Sequence, residues 1–89
     1  MNPNDKINKL RQKIDAFDEQ MLDLLVQRLA VSKEIGEIKA SHGLNVGDSN
    51  REREIIDRLA EKLEGKLDKD DIAAIFTPVY HISKKLQKK

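Results

Sequence analysis

An apolar residue recurs in alternating steps of three and four between residues 7 and 38, and this spacing constrains the chain more than any other feature. Ile7, Leu10, Ile14, Phe17, Met21, Leu24, Val31, Ile35 and Ile38 fill nine of ten positions in the series, and Arg28 takes the tenth. Such an alternation is the seam of a helix packed lengthwise on other helices. Asn4 or Asp5 suits its start as a cap, and Ser41-His42-Gly43 suits its end. Gly36 falls inside, at about 1 kcal/mol relative to Ala, and close packing of another helix would explain it.

A helix over residues 5–41 is roughly 55 Å long, whereas a compact sphere of 89 residues is only about 30 Å across. The rest of the chain cannot cover such a seam, and a second copy is the simplest supplier of the missing surface. An obligate homodimer is therefore expected. Beyond Gly43 and Gly47, Asp48 or Ser49 caps a second helix with Ile55, Ile56, Leu59 and Leu63 inward, ending near Gly65. Asp68 caps a third that carries Ile72, Ile75, Phe76, Val79, Ile82 and Leu86, with Pro78 expected to kink it or loosen its first half. The reading is all-α, with three helices (one very long) in a single domain over residues 1–89.

Composition agrees, and it removes several function classes. The chain is 37% charged with only four Gly and two Pro, a makeup for long helices. A net charge of +1 gives no bulk attraction to nucleic acid or membrane, and Lys84, Lys85, Lys88 and Lys89 read as a solvated tail. No window approaches the ~20 apolar residues of a membrane span, and the polar start has no apolar signal region. The absence of cysteine excludes disulfides, thiolate metal sites and a cysteine nucleophile, and suits a reducing cytoplasm. No phosphate loop, HExxH motif, metal-ligand cluster or Ser-His-Asp set is available, so an enzyme built on this chain works by positioning and electrostatics, without a metal.

The residues that break the pattern are cationic. A buried, unpaired Arg28 would cost several kcal/mol, so it requires an anion; a structural ion pair, a register-setting polar residue and a ligand site all satisfy that. Lys39 returns to nearly the same helical face about 16 Å further on, with Ser32 and Ile35 between. Two cations flanking a small patch look like the ends of a site for a compact anion. Arg11 lies about 25 Å from Arg28 and is turned roughly 100° away. One small ligand cannot touch both in one chain, but in an antiparallel dimer Arg11 of one copy reaches the Arg28 region of the other. The second helix opens Asp48-Ser49-Asn50-Arg51-Glu52-Arg53-Glu54, which reads equally as capping with ion pairs or as a receptor for an anion or hydroxyl. Phe76, Tyr80, Ser83 and Gln87 share a face of the third helix, where Gln87 on its own reads as solvent-facing.

Taken together, these stretches resemble a known family. Leu10 to Asp18, Leu24-Leu25-Val26-Gln27-Arg28 and Ile35-Gly36-Glu37-Ile38-Lys39 are similar to the long first helix of the all-α chorismate mutases, which form intertwined homodimers. Val46, Asp48 and Arg51-Glu52-Arg53-Glu54 resemble that family's loop and second helix, and Ser83 with Gln87 its third. The resemblance implies the rearrangement of chorismate to prephenate, on the way to phenylalanine and tyrosine, with no cofactor. It implies that Arg28 and the partner copy's Arg11 grip two carboxylates, and that Lys39 and Gln87 donate to the ether oxygen. Glu52 and the Asp48 main chain would place the ring hydroxyl, with Arg51 and Ser83 supporting. Gln87 is neutral, so that contact would not require acid pH. Lys84, where apolar wall is usual, bulky Tyr80 and Pro78 depart from the pattern on the third helix. An isochorismate-pyruvate lyase of the same fold, a module regulating or partnering another shikimate-pathway enzyme, and a dimeric helical interaction module without ligand are the alternatives.

Overall fold

The computed structural model describes residues 2–45 and 49–87, and among them it contains three helices and no strand: α1 (Pro3–Ser41), α2 (Ser49–Lys62) and α3 (Lys69–Gln87). α1 begins at Pro3, ahead of both expected caps, Asn4 and Asp5. Asn2 caps it, its Oδ1 accepting the Asp5 N–H at 2.9 Å. Pro3 then stands at the first helical position, where a missing N–H costs nothing and the ring presets φ. The other end closes as expected at Gly43, whose φ of 66° suits a residue without Cβ. Leu44 N–H reaches the Lys39 carbonyl at 2.7 Å and Gly43 N–H the Ala40 carbonyl at 3.3 Å, the paired bonds of a Schellman stop.

Contacts divide the chain into two compact units, residues 1–30 and 31–89. In the first, no described residue is buried; Leu25, Arg28 and Leu29 are half-buried, and the seam residues from Ile7 to Leu24 are exposed. In the second, the end of α1 is joined by α2 and α3. Among its described residues Gly36, Ile55, Ile72, Tyr80 and Ser83 are buried. Ile72, 1% exposed, contributes about 1.5–3 kcal/mol by leaving water. Phe76 and Tyr80 pack tilted, with ring centroids 5.8 Å apart.

Gly65, φ 83°, turns the chain after α2, and Asp68 caps α3 as expected. Its Oδ1 accepts the Asp71 N–H at 2.9 Å, and Asp71 Oδ2 accepts the Asp68 N–H at 3.4 Å, a reciprocal box with aspartate in both places. Lys69 ties the start of α3 to Asp57 of α2 at 2.7 Å. α3 is helical on both sides of Pro78. Ala74 and Pro78 are both exposed, so water can serve the carbonyl that proline leaves without a donor. In one chain Ile75 and Ile82 are 51% and 41% exposed; the covered side carries Ile72 with Phe76, Tyr80, Ser83 and Gln87, the four whose spacing places them on one face.

Candidate active site

Among the described residues only four charged side chains are drawn partly out of solvent: Arg28, Lys39, Glu52 and Lys84. Every other Asp, Glu, Lys and Arg described is exposed. Three of the four are residues that the sequence singled out. Removing a charge from water is unfavourable without a compensating partner, so each of these positions calls for one.

In the unit of residues 31–89, Lys39 stands in the last turn of α1, its own carbonyl held by the Leu44 N–H. The stop that ends the helix thus also sets the main chain under this lysine. Gln87, in the last turn of α3, does not face solvent. Its Nε2 donates to the Ser32 carbonyl at 3.0 Å and to Ser32 Oγ at 2.8 Å. Gly36 makes this approach possible. A Cβ there would meet Cγ, Cβ and Cα of Gln87 at 2.6, 2.7 and 2.9 Å, closer than real side chains tolerate. The two hydrogen bonds use both amide protons, and Gln87 Oε1 is left buried without a partner. One turn earlier, Ser83 is 7% exposed and its Oγ is likewise buried without a partner. Each such atom costs about 1–3 kcal/mol in lost hydration.

Glu52, in the first turn of α2, is held from α3. Lys84 Nζ lies 3.0 Å from its Oε1, and the Tyr80 hydroxyl donates to its main-chain carbonyl at 3.4 Å. Tyr80 is thus accommodated by burial against the start of α2. Glu52 and Lys84 line a cleft of about 320 Å³ between α2 and α3, with Arg53, Ile56, Tyr80 and His81 also on its walls. Arg51 is exposed and lies 3.6 Å from Glu54, as the capping-and-ion-pair reading has it. Arg11 is exposed and Arg28 half-buried, both in the unit of residues 1–30. Asp48, like Val46 in the same loop, lies outside the described residues. The structure therefore brings together Gln87 with Ser32 and Gly36, and Glu52 with Tyr80 and Lys84. Sequence reasoning placed Ser32 and Gly36 correctly on the helix but gave Ser32 no role. A glycine kept in mid-helix was the available signal.

Among the described residues the half-buried charges are three cations and one carboxylate. The chain belongs to the chorismate mutase type II family, whose model matches residues 10–88. It is 33% identical over 85 residues to the chorismate mutase of Methanocaldococcus jannaschii, covering 94% of this chain and 86% of that protein. It is also 40% identical over 55 residues to the bifunctional chorismate mutase/prephenate dehydratase of Aquifex aeolicus, covering 62% of this chain but 15% of that longer protein. Its fold matches the crystal structure of chorismate mutase from Helicobacter pylori in complex with prephenate, with a TM-score of 0.86 and 32% identity. That match covers 94% of this chain and 91% of the other. The resemblance read from the sequence is thereby borne out, as is the all-α fold.

Proposed function

We propose that this chain rearranges chorismate to prephenate as a single 1–89 domain within an intertwined cytoplasmic homodimer. The observation that carries the reading is the match, over nearly the whole chain, to a chorismate mutase solved with prephenate. The reaction is an intramolecular bond shift, in which a C–O bond breaks as a C–C bond forms within one molecule. The protein supplies no proton and forms no covalent intermediate. Its work is to hold the substrate in a compact chair and to meet the negative charge that develops on the ether oxygen.

Arg28 and Arg11 of the partner subunit take the two carboxylates, and Lys39 donates to the ether oxygen. Gln87 keeps one N–H on the Ser32 carbonyl and turns the other from the Ser32 hydroxyl to that same oxygen. Glu52 and the Asp48 main chain position the ring hydroxyl, supported by Arg51 and Ser83. The exposed seam supports the dimer: Phe17, Met21 and Leu24 are 60%, 63% and 65% exposed in one chain. Contiguous apolar surface of this kind is a partner surface. No described helix is long and apolar enough to cross a membrane.

A preorganised donor of this sort is worth about 2.7–4 kcal/mol of barrier. Lys39→Ala is therefore expected to slow the loss of chorismate absorbance by about a hundredfold or more. Equal rates for Lys39→Ala and wild type would remove Lys39 from the reaction. Parallel assays with isochorismate test the lyase alternative.

A further inference from the structure

We infer that Lys84 is a positioning residue that holds Glu52 ready for the substrate, an inference resting on the reading of Glu52 as acceptor for the ring hydroxyl. Of the four charged side chains withdrawn from solvent among the described residues, Lys84 is the one that the resemblance leaves without a role. Its neighbour Lys85 is exposed, so Lys84 is not simply part of a solvated tail. Its ammonium is 3.0 Å from Glu52 Oε1, with 42% and 24% of the two side chains exposed. Tyr80, one turn earlier on the same face of α3, holds the main-chain carbonyl of the same glutamate. α3 therefore grips Glu52 at two points, side chain and backbone, and Tyr80 is itself anchored by burial and by Phe76.

Two consequences follow from the charge. Engaging one carboxylate oxygen removes rotamer freedom from a side chain that otherwise has much to lose on binding, and it aims the second oxygen as an acceptor. A substrate bearing two carboxylates also meets a like charge at Glu52, and a cation 3.0 Å from that carboxylate offsets the repulsion. Both effects act on binding before the bond shift. Lys84 should thus influence KM more than kcat.

The test is steady-state kinetics on the full chain with chorismate, with folding monitored by circular dichroism. Lys84→Met and Lys84→Gln are each expected to raise KM about fivefold with kcat within about twofold, and Lys84→Arg to stay within about twofold of wild type, as expected for partly screened ion pairs. In a Glu52→Gln background, where the ion pair is already lost, Lys84→Met should change KM by less than about twofold. Unchanged KM in Lys84→Met and Lys84→Gln, with Glu52→Gln impaired, overturns the inference and leaves the role of Glu52 standing. Unchanged kinetics in Glu52→Gln overturn both. Equal losses from Lys84→Met in the two backgrounds overturn the coupling through Glu52.

Discussion

Ser83 carries a single polar atom that works against stability. Its hydroxyl is buried with no partner, on a helix face where alanine would pack as well. Ser83→Ala should therefore raise the melting temperature by about 3–8 °C, the shift that roughly 1 kcal/mol gives a domain of this size, while lowering turnover of chorismate. Thermal melts and initial rates on the same preparation check both signs; a lower melting point would show that the hydroxyl is satisfied in solution. At this scale the sequence was partly legible. Arg28, Lys39 and Glu52 stood out by type and spacing, and each is withdrawn from solvent. Gln87 was not legible from spacing, because a glutamine near a chain end reads as solvated. Its bonds to Ser32, 55 residues away in sequence, exist only once α3 has docked.

At the scale of elements, the last turn of α3 meets α1 at Gly36. Alanine there gains about 1 kcal/mol of helix propensity but drives a methyl to 2.6 Å from Gln87 Cγ and 2.9 Å from its Cα. The backbone contact cannot be relieved by turning a side chain. Gly36→Ala is therefore expected to cost about 0–2 kcal/mol net, from overpacking of about 1–3 kcal/mol less the propensity gain of about 1 kcal/mol. It should also displace Gln87 and lower kcat, as read by chemical denaturation and by the chorismate assay. A more stable, fully active Gly36→Ala protein would mean that the two helices do not approach this closely. The helix stops were legible because they are local chemistry: Gly43 and Asp68 act on residues within five positions of themselves. α1 starts earlier than expected because Asn2 caps it and Pro3 takes the first helical position. On α3, Phe76 and Tyr80 are covered in one chain while Ile75 and Ile82 are exposed.

For the whole molecule the decisive question is the second copy. Ile7, Leu10, Ile14, Phe17, Met21 and Leu24 are all exposed in one chain, and the proposed site takes Arg11 from the partner subunit. Light scattering should find a dimer, and Arg11→Ala mixed with Arg28→Ala should recover activity toward one intact site per heterodimer, about a quarter of the wild-type sites at random pairing. Mixed dimers that form and stay inactive would refute the shared site. The seam, the stop of α1 at Gly43, the Asp68 cap, the lack of cysteine and the placement of the cations belong to the sequence alone, because periodicity, turn chemistry and residue type are properties of neighbouring positions. They were enough for an all-α class and for the family. Tertiary structure decided which face of α3 turns inward, that Gly36 seats Gln87 on Ser32, and that Lys84 pairs with Glu52. Those outcomes depend on distances between elements far apart in the chain, which no local pattern encodes.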